Sequence, residues 1–301
     1  ELTLTYGAAK VFRSMTALTK VTFVGDYAIV ENEAFKGCTA LATIEGNVVE
    51  VYDSAFNGCT SLASFDAFQN LTEARLSAFA NTGFTELVLP DSLVTIGNSA
   101  FSGCKKLTSV TLSDSVVNYG SAVFSSCTAL TDVTFGKNMT TIPMQMFSGC
   151  SKLDNVVIPD GVTTICKEAF KDCKELTSVT IPASVKTIED GAFKNCVKLE
   201  TITLPTTLTS LGAEVFYGCS VLNNVVIPTG ITEISDKLFY NCKALANVTL
   251  HSGITYIGYQ AFYGCAALTE LSNLDNVTEI DGSAFYNCSN LTTIGSIANV
   301  E

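Results

Sequence analysis

The chain has 301 residues and a formal net charge of −12, with 17 Lys and Arg residues against 29 Asp and Glu residues. Its lysines never cluster, so the composition argues against nucleic acid and against anionic membrane surfaces as partners. No apolar run is long enough to span a bilayer, and the sequence therefore predicts no membrane-spanning segment.

One unit recurs along the chain and is marked by a Phe. Residues 1–11 form an incomplete unit in which Leu2 and Leu4 alternate with polar residues, and from Phe101 onward the marker Phe residues are evenly spaced. A fixed period of ~23 residues predicts a repeat solenoid, in which each repeat is one coil stacked on the next. With no linker or compositional break, we expect a single domain over residues 1–301 with about 13 repeats. The markers are Phe12, Phe35, Phe56, Phe79, Phe101, Phe124, Phe147, Phe170, Phe193, Phe216, Phe239, Phe262 and Phe285.

The coil that begins at Phe170 illustrates which structural elements the sequence predicts for one repeat. Residues 178–181 alternate polar and apolar and are rich in β-branched side chains, which predicts a short strand. Pro182 ends that strand because proline has no N–H to donate. Residues 185–188 predict a second extended segment, and residues 192–196 a tight turn or a single helical turn. We expect the apolar side chains of all coils to form one continuous core.

The segment between about residues 45 and 85 departs from this pattern. The interval from Phe35 to Phe56 is two residues shorter than the regular one, and the coil from Phe79 loses one residue before Phe84. Residues 64–67 predict a strand with a small Ala67 at a position that is usually Ile. Shortened turns predict an irregular coil here.

Twelve cysteines are present, and eleven of them occupy one position, three residues after the marker Phe. The spacing of one thiol per coil, with a single His in the chain, argues against zinc, and we expect neither a metal nor any other cofactor. We interpret the eleven as a column of buried free thiols. Cys166 alone is out of register, and we expect it to be partly exposed and the first to react. The column is Cys38, Cys59, Cys104, Cys127, Cys150, Cys173, Cys196, Cys219, Cys242, Cys265 and Cys288.

The repeat resembles the BspA-like, or treponemal-type, leucine-rich repeat family over essentially the whole chain. The resemblance is carried by the units AFKDCKELTSVTIPASVKTI, AFKNCVKLETITLPTTLTSL and AFYGCAALTEL. It implies a right-handed leucine-rich-repeat arc with a parallel β-sheet on the inner face and short strands and turns on the outer face. It also implies a secreted or cell-surface protein that acts in adhesion or host interaction, without shared catalytic residues. The chain begins at Glu1 rather than Met, and we expect a trimmed fragment of a longer protein.

Aromatic residues give the main candidate site. Tyr217, Tyr240, Tyr263 and Tyr286, the tyrosine ladder, each directly follow a marker Phe, with Tyr256 and Tyr259 nearby in sequence. If each Phe points inward, the next side chain leans outward, and an exposed aromatic row favours contact with sugar or protein. The alternatives are that the rings pack flat on one another as surface filling, or that recent duplication of the repeat copied one residue.

Three carboxylates give a secondary candidate. Glu45, Asp66 and Glu86 come from successive coils and are expected to converge on one acidic patch. Paired carboxylates serve as acid and base in glycosidases. Because an open sheet face leaves them hydrated, we expect a solvated or cation-attracting patch instead.

The sequence therefore predicts a non-catalytic recognition scaffold that binds a host protein or glycan, without nucleic acid, cofactor or membrane span, as a monomer. The alternative is a structural spacer without a ligand of its own.

Overall fold

A computed structural model describes residues 1–5 and 7–297. These residues divide into two compact units, one formed by residues 1–139 with 145–152 and the other by 140–144 with 153–297. Each unit is a parallel β-solenoid, and together they contain about 13 turns with almost no helix. The helical segments in the described residues are two short 3-10 turns, Lys10–Phe12 and Asp66–Phe68. That the whole chain forms one domain stays a prediction.

Every coil except the one from Phe79 has a Leu six residues after its marker Phe, the repeat Leu, such as Leu176 after Phe170. The predicted strand that follows this Leu is present in both units and forms the first ladder. The residues on either side of its central aliphatic residue face outward. Every pairing is parallel, and a residue pairs with its equivalent in the next coil, as Val110 does with Val133. In the first unit the strands are Leu2–Leu4, Lys20–Phe23, Thr43–Glu45, Glu86–Val88, Ser109–Thr111 and Asp132–Thr134. In the second they are Asn155–Val157, Ser178–Thr180, Asn224–Val226, Asn247–Thr249, Glu270–Leu271 and Thr293–Ile294, with an isolated bridge from Thr201 to Asn224.

Shorter parallel strands form a second ladder. Each of them lies near the end of its coil, just before the marker Phe of the following coil. Most of these strands end in a buried aliphatic residue such as Ile165 or Ile188, which fixes the side of the coil that faces the core. In the first unit they are Gly7–Ala8, Ala28–Val30, Val48–Val51, Glu73–Ala74, Thr95–Ile96 and Asn118–Tyr119. In the second they are Thr141–Ile142, Thr164–Ile165, Thr187–Ile188, Ser210–Leu211, Glu233–Ile234, Tyr256–Ile257 and Glu279–Ile280.

The turn around each marker Phe adds a third column of backbone hydrogen bonds between coils. Here amides donate to carbonyls of the following coil, as from Phe193 N to Val215 O at 3.1 Å and from Asn195 N to Tyr217 O at 2.7 Å. The turn needs left-handed backbone at two places, for example at Glu168 with φ of 55° and at Asp172 with φ of 58°. Gly and Asn predominate at the second place, two residues after the marker Phe, because they accept that region at the least cost, whereas the first place is mostly Ser, Glu and Gln.

Stacked Phe rings form the core of both units. Ring centroids are 5.5 Å apart for Phe170 and Phe193 with an interplanar angle of 2°, and 5.6 Å apart for Phe101 and Phe124. The repeat Leu and the aliphatic residues of both ladders surround the stack and are buried. Burying a Phe side chain contributes roughly 1.5–3 kcal/mol, so each ring of the stack adds to the cohesion between coils.

The cysteine column is confirmed as thiols rather than disulfides, and these thiols are buried everywhere except at Cys288, where the thiol is half-buried. The structure adds a reason for cysteine: its Sγ donates to the carbonyl of the marker Phe in the preceding coil, as from Cys196 to Phe170 O at 3.2 Å and from Cys219 to Phe193 O at 3.2 Å. A thiol thus fills a small apolar space and satisfies a buried carbonyl at the same time. Cys166 is half-buried, as predicted.

The predicted strand at residues 64–67 is wrong. A 3-10 turn, Asp66–Phe68, takes its place, because Phe65 and Phe68 lie three residues apart and both turn into the core. The Phe68 ring centroid lies 4.9 Å from that of Phe79 and 5.3 Å from that of Phe56. The first ladder is interrupted at this coil, which confirms the irregularity expected between residues 45 and 85.

Gly46 marks the other irregular point. Its φ is 106°, and a Cβ atom there would lie 2.4 Å from the Phe23 carbonyl oxygen. The shortened turn therefore brings two backbones closer than any other residue would allow.

No helix in the described residues is long and apolar enough to cross a membrane.

Candidate functional site

The turn after the marker Phe places the four ladder tyrosines in one column of the second unit. Phe216, Phe239 and Phe262 are fully buried, and the Tyr that follows each is half-buried. The next residue has left-handed backbone, which fixes the direction in which the Tyr side chain leaves the turn. These residues are Gly218 with φ of 72°, Asn241 with 57°, Gly264 with 72° and Asn287 with 60°.

The four rings stack on one another. Centroids are 4.5 Å apart for Tyr217 and Tyr240, 4.6 Å for Tyr240 and Tyr263, and 5.2 Å for Tyr263 and Tyr286, with interplanar angles of 3°, 6° and 20°. The backbone holds this spacing, since the carbonyl of each tyrosine accepts an amide from the preceding coil, as Tyr240 O does from Gly218 N at 2.7 Å. Such pairs contribute about 0.5–1.5 kcal/mol each beyond burial.

The ladder is therefore both stacked and accessible. Tyr217, Tyr240 and Tyr263 cover part of one another's faces, and Tyr286 is 58% exposed. The structure brings the four predicted tyrosines together, and it also shows the flat packing of the alternative interpretation. That the ladder binds a ligand stays a prediction.

Two lysines link the ladder to Tyr259. Lys194 Nζ lies 4.4 Å from the Tyr217 ring centroid and 2.6 Å from Glu214 Oε2. Lys237 Nζ lies 3.8 Å from Glu214 Oε1 and 5.8 Å from the Tyr259 ring centroid. Cations and rings thus alternate along one surface, at distances typical of cation–π contacts.

Tyr256 lies on the second ladder rather than in the turn. Strand register aligns it with Glu233 on one side and Glu279 on the other, and its hydroxyl donates to Asp281 Oδ2 at 3.2 Å. Burial raises the pKa of the Tyr256 phenol, and the charges of Asp236 and Asp281 raise it further. This tyrosine is therefore surrounded by carboxylates.

A shallow depression of about 290 Å³ borders this surface. It opens at Gly191, where neighbouring coils carry the long side chains of Glu168, Glu214 and Lys237. The sequence analysis missed this feature, although the loss of a side chain at one position of the aligned repeats is a visible signal.

The three carboxylates of the predicted acidic patch do not all lie at one site. Glu45 Oε1 pairs with Lys20 Nζ at 2.7 Å, and the hydrogen bond from Lys20 lowers the pKa of that carboxyl. Asp66 and Glu86 are exposed and line one shallow depression of about 440 Å³, whose lining does not include Glu45. Asp66 lies at the start of the 3-10 turn rather than on a strand.

The described residues contain no group of three or more His, Cys, Asp or Glu side chains that could hold a metal ion. The cysteine thiols are spaced one per coil and already donate to backbone carbonyls.

The comparison with protein families matches six copies of the BspA type leucine rich repeat region, at residues 3–84, 73–200 and 186–301. The chain belongs to the BspA-type leucine-rich repeat family. The resemblance seen in the sequence is thereby confirmed, and so is the leucine-rich-repeat solenoid as its fold class. A comparison with curated proteins finds no match.

Solved leucine-rich repeat proteins have a similar fold. One from Bacteroides ovatus is 24% identical, with a TM-score of 0.74 over 100% of this chain and 77% of its own. One from Eubacterium ventriosum is 17% identical, with a TM-score of 0.58 over 100% of this chain and 80% of its own. A leucine rich cell surface protein from Faecalibacterium prausnitzii is 24% identical, with a TM-score of 0.48 over 75% of this chain and 83% of its own.

Proposed function

We propose that this BspA-type repeat protein is a non-catalytic recognition scaffold, secreted or on a cell surface, that binds a host protein or glycan through the tyrosine ladder. The observation that carries the proposal is the ladder itself: four stacked rings in consecutive coils that end in Tyr286, which is 58% exposed. Membership of a repeat family whose fold presents extended surfaces supports a binding role.

The ladder suits recognition for two physical reasons. Tyrosine offers a large contact area with few rotatable bonds, so ordering it on binding costs little conformational entropy. Stacking at 4.5 Å and 4.6 Å already fixes the rings of Tyr217, Tyr240 and Tyr263 before any partner arrives, which lowers that cost further.

A binding array of glycans and extracellular-matrix proteins tests the proposal. The intact chain is compared with a Tyr240→Ala, Tyr263→Ala double variant, and Tyr27→Ala serves as a control because Tyr27 is 59% exposed and lies in the other unit. We expect a ligand that the double variant loses and the control retains, while circular dichroism shows both variants folded. Binding that survives in the double variant would rule out the ladder as the site.

A structural spacer remains the second candidate function. It is favoured by one observation: the first three rings are half-buried against one another, and Lys194 and Lys237 already pair with Glu214 beside them. A spacer predicts no ladder-dependent ligand in the array and a loss of stability in the double variant.

A further inference from the structure

A second surface of the same unit combines tyrosines with unpaired carboxylates. We propose that it binds arginine or lysine side chains of a cationic polypeptide. This inference rests on the proposed recognition function and names the class of partner. The surface, called the tyrosine–carboxylate face, consists of Tyr256, Tyr259, Glu233, Asp236, Glu279 and Asp281.

Charge is the first argument. Residues 244–297 contain no Lys and no Arg, whereas Glu270, Asp275, Glu279 and Asp281 lie in that segment. Within the described residues, none of the four carboxylates of the tyrosine–carboxylate face takes part in an ion pair. The face therefore carries negative charge that the chain itself does not compensate, and a cationic partner is complementary to it.

Geometry is the second argument. Glu233, Tyr256 and Glu279 align across three adjacent strands, so about 4.8 Å separates each from the next. Asp236 Oδ1 accepts from Tyr259 N at 2.9 Å, and Asp281 Oδ2 accepts from the Tyr256 hydroxyl at 3.2 Å. These bonds hold the two aspartates beside the rings, while both glutamates stay exposed and extend from the strands.

The chain also contains a cation held in this way. Lys194 Nζ lies 4.4 Å from the Tyr217 ring centroid and 2.6 Å from Glu214 Oε2, so one ammonium contacts a ring and a carboxylate together. The tyrosine–carboxylate face offers the same pair of groups. In the part of the chain that the structure describes, the nearest cation contact to its rings is that of Lys237, 5.8 Å from the Tyr259 centroid. An arginine or lysine from a partner would complete the arrangement.

The distance between the carboxylates indicates which kind of cationic partner fits this face. Glu233 and Glu279 are two strands apart, about 10 Å, and alternate side chains of an extended peptide are about 7 Å apart. Flexible arginine or lysine side chains bridge that difference, and the described residues contain no group of three or more His, Cys, Asp or Glu side chains that could hold a metal ion here. A neutral glycan would leave the carboxylates unpaired, and an acidic glycan would be repelled.

Calorimetric titration of the whole chain with a short synthetic peptide of alternating arginine and serine tests the inference. The matched probe carries citrulline, which has the shape of arginine without its charge, in every arginine position. The test variant is Glu233→Gln, Glu279→Gln, and the control is Asp160→Asn, Glu200→Gln, which removes two exposed, unpaired carboxylates elsewhere in the unit and leaves the net charge equal to that of the test variant.

We expect the arginine peptide to bind the native chain, with a dissociation constant at least about tenfold lower than that of the citrulline peptide. The test variant should weaken binding about tenfold, and the control variant should leave it unchanged. Raising sodium chloride from about 0.15 M to about 0.5 M should weaken binding further. Tyr256→Phe keeps the ring and removes the hydroxyl that positions Asp281, so a smaller loss is expected.

Equal binding of the two peptides would overturn the inference. Equal binding by the test and control variants would also overturn it, because the peptide would then respond to the net charge of −12 and not to this face. An array ligand that depends on the tyrosine ladder, together with no binding of the arginine peptide, would refute this inference and leave the proposed function standing. Peptide binding at this face, without any array ligand that depends on the tyrosine ladder, would support this inference and refute the ladder as the binding site.

Discussion

Two segments of the molecule build the same coil by different means. In the regular segment, residues 153–250, every repeat has the same length. In the variable segment, residues 12–101, the interval from Phe35 to Phe56 is two residues shorter than the regular one, and the interval from Phe79 to Phe101 is one residue shorter. The spacing of the stacked Phe rings does not change with the length of the repeat. Centroids are 5.5 Å apart for Phe35 and Phe56, which span the shortest interval, and 5.5 Å apart for Phe170 and Phe193.

The change in length is absorbed elsewhere in the coil. In the variable segment the second ladder shifts register between Ala28 and Ile29, and the first ladder is replaced at one coil by the turn Asp66–Phe68. The turns around the marker Phe keep their bonds, as from Phe35 N to Ala55 O at 2.8 Å. The comparison teaches that the Phe turn is the fixed part of the repeat, and the strands are its adjustable part.

The strongest test of this conclusion removes a marker Phe from each segment. Phe56→Ala and Phe170→Ala should each lower the free energy of unfolding by about 3–5 kcal/mol, because each opens a cavity in a stack of buried rings. Urea unfolding followed by circular dichroism measures both. A loss in only one segment would mean that the two stacks are not equivalent.

The cysteine position offers a finer test. Cys196→Ala removes the S–H donor to Phe170 O of the preceding coil. Thr82→Ala, at the same position of a coil in the variable segment, removes the hydroxyl that donates to Phe79 O of its own coil at 2.8 Å. Each change leaves a buried carbonyl with one bond fewer, and each should cost about 1–3 kcal/mol. The same urea titration applies. A neutral Thr82→Ala would mean that the hydroxyl bond to Phe79 O contributes nothing to stability.

The thiols of the regular segment should also differ in reactivity. Burial, with a smaller contribution from the charge of Glu189, raises the pKa of Cys166 to about 11, and full burial holds the pKa of the Cys196 thiol well above its usual range. Alkylation of the folded chain with iodoacetamide should therefore label Cys166 first, and its rate should rise about tenfold for each pH unit between about 7 and 10. Peptide mass mapping over time identifies the order, and equal early labelling of Cys196 would contradict it.

The smallest expected effect concerns an ion-pair cluster in the variable segment. Lys36 and Lys10 donate to Glu33, with Arg13 at 3.0 Å, and they lower the pKa of its carboxyl to about 2. Because the folded-state pKa lies below the unfolded value of about 4.3, this stabilisation is present at neutral pH and is lost as pH falls from about 4.5 to 2.

Glu33→Gln should flatten the dependence of the melting temperature on pH in that window, by a small amount because the cluster is exposed to solvent. Glu31→Gln is the matched control, since Glu31 is exposed and makes no ion pair in the described residues. Identical profiles for the two variants would show that the cluster contributes nothing.

Much of the fold could be predicted from the sequence because each role in the coil has its own residue type. The Phe column, the alternation around Val179 and the position of the thiols all follow from a fixed period. The strand predicted at residues 64–67 was wrong because their polar–apolar alternation is compatible with a strand and also with a turn that buries Phe65 and Phe68. The turn places Phe65 and Phe68 against Phe79 of the following coil, and a contact of that kind is not visible in the local sequence.

The candidate site was predicted in part. The column of tyrosines could be predicted because the ladder residues recur with the period of the marker Phe, and the alignment of Glu233, Tyr256 and Glu279 carries the same period. The pairing of Glu45 with Lys20 and the contact of Lys194 with Tyr217 could not, since each depends on the rotamer of a long side chain.

The one-tyrosine-per-coil arrangement of the ladder has a consequence for how the protein can evolve. Unequal recombination between near-identical repeats inserts or deletes one whole repeat at a time, and every side chain then returns to its own column. Each such event would lengthen or shorten the row of rings by one without disturbing the others. Under the proposed recognition function, the avidity of the ladder for a repetitive partner would then change in single steps.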